Sequence, residues 1–198
     1  MDLDYTKVIK YVEEVTKQNG RPDNYPFRSR FDHIMRVYRW AIKIQSKEGG
    51  DLDIISLAAL FHDAGWEEDR PHWEVSAEIA VEYLAELDYD VAKIGRIGEI
   101  IMRHNDKDTT DDLSLECRVV MDADLLDEVG AMSILWDSMA TACEDEASYK
   151  KAYYRIKNYY RINQPKISRC KTATGRMEYS KRMKAIGDFL NELERELF

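Results

Sequence analysis

The stretch IISLAALFHDA, residues 54–64, carries no charge until it reaches an adjacent histidine and aspartate. A surface helix alternates apolar and charged faces, whereas one that is apolar nearly all round is buried among other elements. Residues 54–64 therefore read as a short central helix, with His62 and Asp63 at its end. A buried charged pair is costly unless it is matched by a partner or an ion. Successive helical side chains point in different directions, so His62 and Asp63 could grip one ion from neighbouring sides, or Asp63 could bridge two.

Outward from this segment the spacing stays helical. Val8, Val12 and Val15 share one face of a first helix, and Phe31, Ile34, Val37, Ala41 and Ile44 share one face of a second. Val75, Ile79, Tyr83 and Leu87 mark another stripe, and Ile94, Ile97 and Ile101 the next. Residues 115–127, 132–140, 148–162 and 177–197 complete the helices, with 118–121 the one segment of ambiguous strand character. GRPDNYP (20–26) and Gly49-Gly50 read as breaks, and 163–175 as a long loop. With no internal repeat or composition shift, the expectation is a single all-α domain over 1–198. Its core covers about 27–131, with the helices of 132–198 packed against it.

The composition suits a soluble globule: 198 residues, 44% hydrophobic and 34% charged. A chain of this length can bury roughly 70% of its unfolded surface. The net charge of −9 argues against a protein that coats nucleic acid, where basic excess supplies the affinity. The N-terminus, MDLDYTKVIK, lacks the features of a signal peptide. The longest apolar run, residues 54–61, is too short to span a bilayer. Cys117, Cys143 and Cys170 are dispersed and odd in number, which suits reduced thiols. Together these features lead to expectations of a cytoplasmic location, no membrane association and no stable nucleic-acid complex, with a homodimer left open.

The four histidines, His33, His62, His72 and His104, each fall near an end of an expected helix. Taken singly, a histidine more often packs or hydrogen-bonds than binds metal. Their order changes the weighing. FDHIMRV (31–37), LAALFHDAGW (57–66) and VVMDADLLDEVGA (119–131) together resemble the HD-domain metal-dependent phosphohydrolase superfamily, whose pattern H…HD…D sits on a helical bundle. The resemblance implies an HD-domain helical bundle with His33 as first metal ligand and His62–Asp63 as the signature pair. The final ligand lies in an ADxL context, here Ala123-Asp124-Leu125-Leu126, which selects Asp124; periodicity alone does not choose among Asp122, Asp124 and Asp127. KTATGRMEYSKR (171–182) is similar to the C-terminal tail of a small bacterial and archaeal subgroup.

The same resemblance extends to His72, in PHWEVSAEIA, and His104, in IGEIIMRHND, which match the extra histidines of two-metal members. Six ligands could then share two ions about 3.5–4 Å apart, with Asp63 bridging. Only ten residues separate His62 from His72, which keeps one-metal and two-metal centres both open. Imidazole and carboxylate ligands suit Mn, Fe, Co, Ni, Zn or Mg, one or two per chain. Arg36, one turn beyond His33, is the first candidate to neutralise phosphate charge, with Arg70, Arg103 and Lys107 behind it; Arg36 could equally be a solvated surface arginine. Glu67 or Glu68, just after the signature pair, could act as general acid or orient water, Glu67 being the choice, or form an exposed acidic loop. Trp66 and Trp73 could stack on a base or pack in the core. Tyr153, Tyr154, Tyr159 and Tyr160 read as packing. Lys171, Thr172 and Arg176 could approach phosphate or belong to a docked tail.

The implied function is divalent-metal-dependent hydrolysis of a phosphate ester or anhydride in a nucleotide or other small phosphorylated metabolite, with Asp63, Glu67 and Arg36 as catalytic candidates. A divalent ion would lower the pKa of a water to about 7 for attack on phosphorus. Two alternatives stand beside it: a di-iron oxygenase on the same fold, and a non-enzymatic nucleotide sensor.

Overall fold

In the computed structural model, which describes residues 3–19 and 25–198, Asp51 starts the central helix. Its carboxylate accepts from the backbone N–H of Asp53 at 3.0 Å and of Ile54 at 3.2 Å, filling donors a helix start leaves open. This helix, α3 (Leu52–Phe61), buries every residue from Ile54 to Phe61. Each large apolar side chain so buried contributes about 1.5–3 kcal/mol.

Helices α1 (Tyr5–Asn19), α2 (Arg30–Glu48), α4 (His72–Glu86), α5 (Val91–Arg103) and α6 (Leu115–Asp127) pack around α3. Short polar caps set where they begin. Ser29 accepts from Asp32 N–H at 3.1 Å, which puts His33 in the first turn of α2. Ser114 accepts from Cys117 N–H at 3.2 Å and starts α6. Residues 118–121 are thus helical, and their strand-like composition reflects burial on two sides instead of a sheet. Of the expected break at 20–26, residues 20–24 lie outside the described part of the chain.

The stripe expected on α4 is displaced. Val75 is buried, but Ala77, Ala80 and Leu84 complete the buried face, while Ile79 and Tyr83 are half-buried and Leu87 is exposed. Small side chains let α4 approach its neighbours closely, and the larger Tyr83 stacks at the rim on Tyr11 of α1, with ring centroids 3.9 Å apart.

Helices α7 (Ala131–Ala142), α8 (Tyr149–Asn163) and α9 (Ala173–Leu197) follow, and α9 packs against α2, α6, α7 and α8. Residues 163–175 are not the expected long loop. Pro165 sits in the first turn of a 3₁₀ helix (Gln164–Arg169), where a missing N–H costs little, and Thr172 already caps α9. The junction is held by Asp122, whose carboxylate accepts from the N–H groups of Lys171 and Thr172 and from the Thr172 hydroxyl, each at 2.7 Å. Arg182 of α9 donates to the carbonyls of Leu126 and Val129 at 2.6 and 2.9 Å, pinning the end of α6. Among the described residues, no helix is long and apolar enough to cross a membrane.

Gly175 is what lets α9 close on Asp122: a Cβ there would lie 2.1 Å from Asp122 Oδ2 and 2.9 Å from its Cβ. Gly175→Ala is therefore expected to destabilise by about 1–3 kcal/mol, as overpacking does. Gly95→Ala, with open space around its exposed helical position, is expected to stabilise by about 0.5–1 kcal/mol. Chemical denaturation of both variants checks this; equal effects would contradict the close approach.

Candidate metal centre

Five helices deliver their ends or inner faces to one point. His33 comes from the first turn of α2, His62 caps the C-terminus of α3 with Asp63 beyond it, His72 opens α4, His104 caps the C-terminus of α5, and Asp124 lies on the inner face of α6. The side chains form two triads, His33–His62–Asp124 and Asp63–His72–His104, each with its ligand atoms within 4.8 Å of one another. Asp124 Oδ1 lies 3.4 Å from His33 Nε2 and 3.8 Å from His62 Nε2. Asp63 spans the two groups: its Oδ1 is 3.1 Å from His72 Nε2 and 3.8 Å from His104 Nε2, and its Oδ2 is 3.6 Å from His33 Nε2.

The ring protons are assigned by their partners. His62 Nδ1 donates to the Ala59 carbonyl at 2.8 Å and His104 Nδ1 to the Ile101 carbonyl at 2.6 Å. His33 Nδ1 faces Asp127 Oδ2 at 2.8 Å, and Asp127 is gripped by Arg36 through Nε at 2.7 Å and Nη2 at 3.0 Å. All three rings then turn Nε2 lone pairs inward, and those of His33 and His62 stand 3.3 Å apart. Two lone pairs at that distance repel unless a cation or proton sits between them. The donor set of imidazoles and carboxylates fits a divalent cation in each triad, and imidazole bound through one nitrogen with the other tied to an acceptor is the usual ligand arrangement.

Electrostatics point the same way. Burial pushes the His62 pKa down to about 4, against the opposing charges of Asp63 and Asp124, so this ring is neutral at physiological pH. Burial likewise lowers His104. Burial opposes ionisation of Asp124, but Lys107 and the facing imidazoles outweigh it and hold the carboxyl below its ordinary value. Asp63 is also held well below, where the His72 hydrogen bond and nearby cationic groups overcome burial. Lys107 Nζ donates to Asp124 Oδ2 at 2.6 Å, securing the oxygen that faces away from the imidazoles.

Several expected roles need correction. Glu67 is exposed, pairs with Arg70 at 3.6 Å and belongs to neither triad nor the lining of the cleft they open into; Glu68 is exposed as well. Arg36 spends its guanidinium on Asp127, so it orients His33 through that carboxylate. Arg70 is bound to Glu78 and Arg103 to Asp111 at 2.6 Å. Trp73 packs edge-on against His72, and Trp66 lines a small recess with Arg30, Asp63 and His72. Lys171 donates to the Thr109 carbonyl at 2.6 Å and Arg176 to the Cys170 carbonyl at 2.7 Å, as parts of the docked tail. Tyr153 is buried as packing, Tyr154 is exposed, Tyr159 donates to the Glu128 carbonyl and Tyr160 packs on the core.

Two participants are not singled out by the sequence. Asp127 stands there only as a rival to Asp124, although a residue three further along a helix shares its face. Arg30, whose guanidinium contacts Asp63 Oδ2, has no signal of its own. The triads open into a cleft of about 580 Å³ that also exposes Arg30, Lys107, Lys166 and the inner face of α7.

The His33 pKa is raised: burial lowers it, but the Asp127 hydrogen bond and the charges of Asp124, Asp63 and Asp127 outweigh burial. A proton on His33 competes with metal below that raised value, so apparent metal affinity is expected to climb about tenfold per pH unit up to it and level off above. In Asp127→Asn the raising partner is gone. The plateau is expected to extend to lower pH, at an affinity about 10–100-fold weaker. Calorimetric Mn²⁺ titration between pH 5.5 and 8 reads both; an identical pH profile in the variant would contradict the assignment.

The HD domain family model matches residues 30–128. No curated protein matches the chain. Among solved structures, an HD-superfamily hydrolase from Bacillus thuringiensis is 21% identical with a TM-score of 0.74, covering 96% of this chain and 95% of its own. Bacillus subtilis YpgQ is 26% identical with a TM-score of 0.68, covering 97% and 94%. The same YpgQ in complex with ADP covers 98% of both chains at 23% identity and a TM-score of 0.68. The family match begins just before His33 and ends just after Asp127, taking in both triads, and the chain belongs to the HD domain family.

Proposed function

We propose that this protein is a divalent-metal-dependent phosphohydrolase that acts on small phosphorylated organic compounds, nucleotides being the expected class. The observation that carries the reading is the pairing of two His/Asp triads, with Asp63 belonging to one and reaching His33 of the other. A pair of divalent ions there would activate water and neutralise phosphate charge. The name of the Bacillus thuringiensis neighbour and the ADP held by YpgQ support hydrolysis and a phosphorylated ligand.

The chain's own residues divide the remaining work. Asp127 and Arg36 orient His33, and Lys107 orients Asp124. Arg30 holds the Asp63 oxygen that faces His33. Lys166, half-buried on the 3₁₀ helix, lines the cleft without an ion-pair partner among the described residues. On this reading it meets a phosphate oxygen, the task first expected of Arg36.

Chelation is expected to abolish hydrolysis of a nucleotide panel and Mn²⁺ to restore it. Asp124→Ala is expected to lose bound metal by elemental analysis and at least about 10²-fold in kcat. Asp122→Ala is expected to keep its metal and lose stability instead. A metal-free preparation that hydrolyses as fast, or the reverse behaviour of the two aspartates, would overturn the reading. Oxygen uptake by the iron-loaded protein, without hydrolysis, would favour an oxygenase.

A further inference from the structure

Met132, Leu135 and Met139 lie at helical spacing on α7 and are 42%, 55% and 45% exposed, a large apolar display beside a site built of charges. All three line the same cleft as the triads, together with Trp136 and Phe27. The hydroxyls on this side are already committed: Ser133 donates to the Gly130 carbonyl at 2.8 Å and Tyr159 to that of Glu128. The α7 wall therefore offers contact area but no spare hydroxyl donor. Methionines give such a wall an adaptable shape. The cleft's volume falls within the range of small-molecule sites.

We infer that the α7 wall determines specificity by seating the flat, apolar part of a phosphorylated substrate, while the phosphate faces the metal triads. Selection on this wall is by apolar contact, so it favours an aryl or similarly flat group over a small or strongly hydrated one. The inference rests on the hydrolase reading for the position of the phosphate, and its test separates the two.

The test compares binding of phenylphosphonate and methylphosphonate, neither of which can be turned over, to the Mn²⁺-loaded full chain by calorimetry. Phenylphosphonate is expected to bind at least about tenfold more tightly. In Leu135→Ser/Met139→Ser, at exposed positions where folding is little affected, the ratio is expected to fall to about threefold or less. A ratio near one in the parent protein, or one unmoved by the double substitution, overturns the inference. If sedimentation shows the substitutions turning a dimer into a monomer with the ratio unmoved, the wall is an interface between copies and the inference likewise fails. If the ratios behave as expected but no phosphate ester is hydrolysed, the hydrolase reading fails while the wall's role in selection stands.

Discussion

Two buried carboxylates, Asp63 and Asp124, face the Nε2 atoms of His33, His62 and His104, whose Nδ1 atoms are tied to other acceptors, and the helices around them are arranged to keep it so. Ionised groups out of water are costly unless compensated. Lys107 and Arg30 compensate one oxygen of each carboxylate, leaving the other oxygens and the inward Nε2 atoms as a converging set of lone pairs. That surplus of electron density is what a cation satisfies.

The scaffold reaches this by repeating one device. His62 and His104 each cap a helix C-terminus, and each donates Nδ1–H to the carbonyl three residues earlier. The bond uses an acceptor that a helix end leaves open and fixes the ring's tautomer at the same time. The negative ends of α3 and α5 also lie at the centre, which favours positive charge there. On the opposite side α6 carries Asp124 and Asp127 and is itself held by α9, through Asp122 with the capped turn at Thr172 and through Arg182. The C-terminal helix thus supports the site from outside it.

Much of this is legible in the amino-acid sequence. The all-round apolarity of residues 54–61 announces a central helix, and helical spacing finds its neighbours. His33, His62, Asp63 and Asp124 are readable because a short motif specifies them. Asp122 and Asp124 illustrate the limit: two residues apart on a buried helix, they face different partners, and only the packing of α9 separates a clasp from a ligand. His72 and His104 are ambiguous in the sequence because the short loop after Asp63 hides whether α4 can turn back to the cluster. Glu67 misleads because proximity in sequence to the signature pair says nothing about which way an exposed loop turns. Arg36 falls in the right region but its partner is hidden, since its pairing with Asp127 spans 91 residues.

The most direct test is an anomalous-difference map from crystals of the Mn²⁺-loaded protein. Two peaks are expected in each chain, one among His33, His62 and Asp124 and one among Asp63, His72 and His104. A map with no peak at these side chains, or with metal only on the exposed acidic surface, would contradict it.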